Sequence, residues 1–527
     1  MNSLYHILLR FRRKKYACKA DIEKAFLQVE IAEEDRDALR LLWEIDGMIW
    51  VLRFARLPFG LTCSPMLLAA VLQRHLKSTK IDEELVEQIL AAFYVDDNIW
   101  SVDTLKALFD RHEVTLGEFA KAGMKLRQWN ANNEEAREQF RKLGDDPPEQ
   151  ETVLGLRWDV KSDLISINAE RIEQLVGRQP KSKRMFWSFV AQVFDPLGLL
   201  APYTTLAKLL TREVSKACKN WDSKLPADLS DKVTRWMDDF LLIPHMTFPR
   251  HVGLFGAKSE KLVCYCDAST KALGACVYLV STDGEDNVVS NLWTAKSRIA
   301  PFPAQSIPRL ELTAAVLAVN VMAHVRKVIP EVSSENIHFM SDSRIVVFWI
   351  YSCSLSWPKY VANRLKSITE GSEVSQWNHV ATDENPADLP SRGVPLSDLL
   401  DSDLWKYGPE YLKQGVDCGK STVSGYQLVE AYQEKQDMPE AGAEELKVYM
   451  TAVHAGERKG KVMYNIDKVI DIDRCGSYSK LIGVTAKVLQ FIKMRVPSAA
   501  KVLNLKDDLV RQAEVAWIRV SQRKHFT

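Results

Sequence analysis

The sequence predicts a multidomain α+β protein in four stretches: a mixed strand and helix unit over residues 1–158, a helical connection over 159–258, a mixed α/β domain over 259–395, and a linker with a helical tail over 396–527. Three observations predict it. A chain of 527 residues, 46% hydrophobic and 26% charged, is long enough to bury several cores. Its apolar spacing changes at Leu262 from a helical period to strict alternation. A polar run, "EAYQEKQDMPEAGAEELK", then reads as a flexible linker before the last helical part.

In order along the chain, the first unit contains "KADIEKAFLQVEI", a strand pair around "LLWEIDGMIWVLRFARL", an apolar helix after Pro65 and the run "AAFYVDDNIWS". Helical spacing dominates from about Arg171 to Phe248. From Leu262, "LVCYCDAS", "ALGACVYLVS" and "VVSNLWTAKS" read as three consecutive strands, followed by the helix "PRLELTAAVLAVNVMAHV", the strand "IHFMSDS", the helix "RIVVFWIYS" and the strand "SQWNHVAT".

Charge and composition exclude some classes and leave others open. Lys+Arg 70 against Asp+Glu 69 gives a net charge of +1, so any nucleic-acid surface must be local. Nine cysteines without CxxC spacing point to a reduced, intracellular protein. The longest apolar stretch, "FWSFVAQVFDPLGLLAPY", is broken by Asp195, Pro196 and Gly198, and no segment reaches the roughly 20 residues that cross a bilayer. No membrane partner is expected. In "MNSLYHILLRFRRKK" the charges follow the apolar residues, the reverse of a secretory signal. The cluster Arg10–Lys15 reads as a solvated basic helix end, or as a nuclear-import or phosphate-contacting patch.

Two groups of acids carry the chemistry. Asp96 and Asp97 end an apolar strand; taken alone, Asp-Asp-Asn is equally a hairpin turn. Asp21, also at a strand end, supplies a third carboxylate. Three clustered acids repel one another unless a cation is shared, and hard oxygen ligands suit a pair of magnesium ions in phosphoryl transfer. The second group is Asp267 after "LVCYC", Glu311 early in the following helix, Asp342 after "IHFM", and Asp388 in "NPADLPSRG". Each has a bland reading as a turn or helix-end residue, but four in one α/β domain point to one phosphodiester site.

The set "ADIEKAF", "LPFGLTCSP" and "YVDD", in this order, resembles the palm of a reverse transcriptase, and most of all the Pol polyprotein of BEL/Pao long-terminal-repeat retrotransposons. The resemblance implies that Asp21, Asp96 and Asp97 hold the metals and that Phe26 is the aromatic gate under the sugar. It implies too that Leu57, Pro58, Phe59, Gly60 and Ser64–Pro65 form the loop against template and nucleotide. Phe26 reads otherwise as a core aromatic. "CDAS", "RLELTAA", "SDS" and "NPADLPSRG" resemble the ribonuclease H domain of such elements, which cuts RNA in RNA–DNA hybrids with Mg2+ or Mn2+. Lys296 and Arg392 are expected phosphate contacts, and His379 either a proton shuttle or a structural hydrogen-bonder.

By the same resemblance, residues 1–158 are a truncated palm, 159–258 the connection sometimes labelled a Pao peptidase, 259–395 the ribonuclease H domain, and 396–527 a lead-in to an integrase. The segments "CGSYSKLIGVTAKVLQFI" and "AEVAWIRVSQRKHF" carry that last likeness. Protease activity is not expected, because no Asp-Thr/Ser-Gly loop is present and "STDGED" has the residues in the wrong order. Only 20 residues precede Asp21, so the basic fingers that clamp a nucleoside triphosphate are expected to be missing. The implied partners are an RNA–DNA hybrid or an RNA template with a DNA primer, in a cytoplasmic particle or the nucleus. Hybrid cleavage is the expected surviving activity, polymerisation is expected to be weak or lost, and a silent nucleic-acid-binding or scaffold remnant is the competing reading.

Overall fold

The first sheet positions the first acid group. Helix α1 (Leu4–Phe11) buries Ile7, Leu8, Leu9 and Phe11, and strand β1 (Tyr16–Ile22) follows it. The antiparallel pair β2 (Arg40–Ile45) and β3 (Met48–Arg53) is the strand pair expected around "LLWEIDGMIWVLRFARL". Its turn residues Asp46 and Gly47 take φ of 52° and 75°, as the favoured two-residue turn demands. Helix α2 (Ser64–Lys77) starts on a proline and α3 (Glu83–Ala91) is capped by Asp82. Then come β4 (Phe93–Tyr94), β5 (Asp97–Val102), α4 (Leu105–Lys121), β6 (Leu126–Ala131) and α5 (Glu134–Lys142). The antiparallel order is β4-β5-β1-β6, over a core that includes Leu72, Ile89, Trp100, Phe119 and Trp129.

This is a computed structural model, in which residues 2–353 and 357–414 are described, with 423–424 and six residues between 482 and 489. The chain divides into one unit over Met1–Asp437 and another over Met438–Thr527. All candidate site residues fall in the first unit. The polar run 430–447 and the segment "AEVAWIRVSQRKHF" lie outside the described residues, as does most of "CGSYSKLIGVTAKVLQFI".

The expected helical connection opens on strands. β7 (Gln150–Val153), β8 (Leu156–Asp159), β9 (Leu164–Ile167) and β10 (Phe248–Pro249) form an antiparallel sheet of order β10-β9-β8-β7. Alternation in "LRWDVKSDLISI" explains β8 and β9. Helices α6 (Glu170–Glu173), α7 (Lys183–Gln192), α8 (Ala201–Ala217) and α9 (Ala227–Asp238) lie between β9 and β10.

A solvated basic helix end is not what the structure shows at Arg10–Lys15. Arg12 is fully buried and donates to the carbonyls of Trp293 and Pro249. Arg13, 8% exposed, pairs with Glu260 at 2.6 Å. Arg250, also fully buried, spans the carboxylate of Asp163 and the carbonyls of Phe11, Lys14 and Lys15. The terminal nitrogens of each of these buried guanidiniums find carbonyl or carboxylate acceptors, so these arginines join α1 to the sheets behind it.

The third sheet carries the second acid group. It contains β11 (Ser259–Ala268), β12 (Ala272–Thr282), β13 (Val288–Ile299), β14 (Ile337–Ser341), β15 (Trp377–His379) and β16 (Val423–Ser424), in the order β13-β12-β11-β14-β15-β16. The first three are antiparallel; β14 and β15 run parallel to β11. Helix α10 (Ile307–Arg326) packs on β11 and β12, and α11 (Arg344–Tyr351), α12 (Lys359–Gly371) and the short α13 (Asp388–Arg392) follow. The edge of β13 is sealed by "FDPLG": Ala295 N–H donates to Leu197 O at 2.9 Å, and Gly198, at φ 73°, passes so close that a Cβ there would meet Ala295 O at 1.8 Å.

Candidate active site

The three palm acids come from two adjacent strands. Asp21 on β1 is the cross-strand partner of Asp97 on β5, and Ile22 N–H donates to Asp96 O at 3.2 Å. The two-residue turn between β4 and β5 is Val95–Asp96, with Val95 at φ 59°. A β-branched residue in that region is strained, and strain of this kind is held only by its surroundings. Burial, then Asp96 and Asp97, push the Asp21 carboxyl up to about 6. Burial also raises Asp97 against the pull of Lys19. Lys19 itself is held by Glu151 at 2.9 Å and by the carbonyl of Thr152.

Around this group the sequence-predicted loop is built as one piece. Ser64 Oγ donates to Pro58 O at 2.9 Å, and Gly60 takes φ 91° in open space. Phe26 is 7% exposed, in the palm core, with the 66% exposed ring of Phe59 edge-on at 5.0 Å.

The second group is gathered from four elements. Asp267, Glu311, Asp342 and Asp388 all line one cleft of about 470 Å³, together with Lys271 and Arg392. Asp267 lies near the end of β11, Glu311 one turn into α10, Asp342 directly after β14, and Asp388 at the start of α13. Gly274 on β12, opposite Asp267, lets the chain before α13 approach, since a Cβ would meet Ala387 O at 2.6 Å. That approach lets Ser391 Oγ donate to Asp267. Ser343 Oγ donates to Glu311 at 2.5 Å, and Asn385 Nδ2 to Asp342 at 3.2 Å.

Electrostatics mark these acids as mutually repelling. Burial, then Asp342 and Asp267, raise Glu311 to about 7. Burial, then Asp267, raise Asp342 to about 6. Asp388 is raised by burial and Asp267, against the opposing pull of Arg392 at 2.6 Å. Such a surplus of hard oxygen donors fits a magnesium- or manganese-like cation better than a soft or nitrogen-ligated one. Among the described residues no three His, Cys, Asp or Glu side chains stand in ready-made metal-ligand geometry. The hydrogen bonds from Ser391, Ser343 and Asn385 hold the carboxylates instead.

Of the remaining predicted residues, Lys296 lies elsewhere, and His379 lies beside Asp342 without lining the cleft. Lys296 does not line the acid cleft; it borders a separate one with Asp195, Lys208 and His324. The reason is register: Lys296 pairs with Ala275, and its neighbour Ser297 faces Thr205 and Lys208 of α8. His379 ends β15, beside Ser341, and burial followed by the positive charge of Arg344 lowers its pKa. Ser343, Asn385, Ser391 and Lys271 were not singled out from sequence. The first three sit inside "SDS" and "NPADLPSRG", so the signal was present in the motifs that supplied the acids.

Two family models match parts of the chain. Residues 3–132 match the family described as reverse transcriptase (RNA-dependent DNA polymerase). Residues 182–343 match the Pao retrotransposon-like RNaseH-like domain, a span that ends just past Asp342 and leaves Asp388 beyond it. No curated protein matches the chain. Solved structures similar to it include the foamy viral protease-reverse transcriptase in complex with RNA/DNA hybrid, 13% identical over 75% of this chain, TM-score 0.46. The same viral protein in its dRH form with ds DNA is 14% identical over 72% of this chain, TM-score 0.47. The chain spans 47% of the first and 59% of the second. Residues 3–132 are thus similar to a reverse-transcriptase domain and residues 182–343 to a Pao retrotransposon-like RNaseH-like domain, an order consistent with a retrotransposon Pol fragment.

Proposed function

We propose that this chain cuts the RNA strand of RNA–DNA hybrids at the cleft of Asp267, Glu311, Asp342 and Asp388, and that its palm extends primers weakly or not at all. The convergence of four carboxylates from four elements on one cleft supports the reading. A divalent cation held by these oxygens would supply charge neutralisation at the phosphodiester. The chain's own part is positional. Ser391, Ser343 and Asn385 orient three of the carboxylates, while Lys271 and Arg392 on the rim attract backbone phosphates.

The weaker palm is inferred from its surroundings. Lys19, the cation acting on Asp21 and Asp97, is engaged by Glu151. The β2–β3 hairpin leaves Leu42, Trp43, Ile49, Trp50 and Val51 at least half exposed, so this side of the palm is an unpartnered apolar ribbon.

The silent reading has its own support, the ion pair that already occupies Asp388. The full chain with 5′-labelled RNA in a hybrid and Mg2+ separates the two. Cleavage that falls about 100-fold or more in both Asp267→Asn and Glu311→Gln supports the nuclease. Hybrid binding with no cleavage in either Mg2+ or Mn2+ supports the silent protein.

A further inference from the structure

At the end of β5 remote from Asp96 and Asp97 lies another cleft, of about 460 Å³, that belongs to neither acid group. It is bordered by α1, by β5 and the start of α4, and by the turn after α10. Trp100 and Arg111 line it and are 2% and 7% exposed. The Arg111 guanidinium lies 4.5 Å from the Trp100 ring centre and donates through Nη2 to Gln88 O at 3.0 Å. Its Nε and the Trp100 Nε1 are buried without any hydrogen-bond partner.

Arg10 faces the same space. Its Nη2 donates to Ala91 O at 2.7 Å, and neither Arg10 nor Arg111 makes a salt bridge among the described residues. Arg111 is pushed down to about 10 by burial, with the charge of Arg10 adding to the effect. The two carboxylates that line this cleft pair with its other two cations, Asp103 with Lys14 at 2.8 Å and Glu331 with Arg13 at 3.3 Å, and not with Arg10 or Arg111. Two guanidiniums without an acid partner on one cleft leave positive charge that a bound anion would offset. Ala91, Ile99, Val102, Ala107 and Val328 make much of the wall apolar.

We propose that this cleft binds a small organic anion, its phosphate or carboxylate group taken by Arg10 and Arg111 and its apolar body lodged against Trp100 and Val102. The fork of a guanidinium matches either oxyanion, and the volume suits a ligand of nucleotide size. Such a ligand would bridge the palm to the RNaseH-like domain, since Val328 follows α10 and Trp100 belongs to β5.

The test uses the full chain in EDTA, which keeps metal-borne nucleotide out of the acid clefts, with titration calorimetry and thermal melting against inorganic phosphate, AMP and 2-naphthoate. AMP and naphthoate separate the phosphate from the carboxylate source, and inorganic phosphate isolates the contribution of the ring. The expected result is one-to-one binding of an organic anion, tighter than inorganic phosphate, with a melting midpoint that rises with ligand by mass action. Affinity should fall about tenfold or more in Arg10→Gln, which removes charge, and in Ala107→Leu, which fills the cleft without touching one. Saturable binding of none of the three probes, or unchanged affinity in both variants when they melt as the wild type does, overturns the proposal.

Discussion

Val95 holds the strained corner of the "YVDD" turn. Its φ of 59° places a β-branched side chain where such residues rarely sit, while the side chain still packs against the palm core. Val95→Met keeps an apolar side chain and removes the branch, so it should raise stability by about 0.5–1 kcal/mol in denaturant unfolding. A loss of that size would show that the strain is not stored there. Glu311 offers a second residue-level test. Its folded pKa of about 7 lies above the ordinary 4.5, so between those values the folded chain holds the proton more tightly than the unfolded one. Stability is therefore lost as pH rises through that window in metal-free buffer. Glu311→Gln should be more stable than wild type by ~1–3 kcal/mol at pH 8, with the gain fading towards pH 4.5. A gain that is the same at both ends would contradict this origin. At this scale the acids were legible because each stands in a short motif at an element end. Lys296 was not, because strand register decides which side of β13 it serves.

Elements show why the middle of the chain was harder to read. The helices after Arg171 follow from apolar spacing, and so does the β2–β3 hairpin from its Asp-Gly turn. The connection's strands did not stand out, because β8 and β9 are four residues each and β10 only two, too short for a period to declare itself. Burial of Arg12 and Arg13 was equally hidden, since it depends on Pro249, Glu260 and Trp293, well over 200 residues away in sequence. The "FDPLG" seal is a long-range feature of the same kind. Gly198→Ala would force a Cβ into the carbonyl of Ala295 at a backbone angle that favours glycine. It should cost about 3 kcal/mol or more, seen as a marked drop in melting temperature. A melt within a degree or two of wild type would mean that β13 does not need this seal.

At the level of the whole molecule, the order of two acid clusters was readable from motifs and period alone; one matched family spans Asp21, Asp96 and Asp97, and the other begins in the connection and takes in Asp267, Glu311 and Asp342 but not Asp388. Folding turns each motif set into a place: one sheet brings Asp21, Asp96 and Asp97 to a strained turn, and the other brings four acids to a single cleft. The two places differ in what surrounds them. The palm's nearby lysine is paired and its hairpin is bare; the second cleft has Lys271 on its rim, Arg392 paired to Asp388, and hydroxyl and amide donors orienting its carboxylates. The central claim, that the surviving chemistry resides in the second cluster, is tested most directly by one assay on one substrate: a hybrid of 5′-labelled RNA and an extendable DNA primer, with Mg2+ and deoxynucleotides. The prediction is RNA cleavage that disappears in Asp267→Asn and persists in Asp96→Asn, with little or no primer extension. Intact RNA alongside efficient extension that is lost in Asp96→Asn would contradict it.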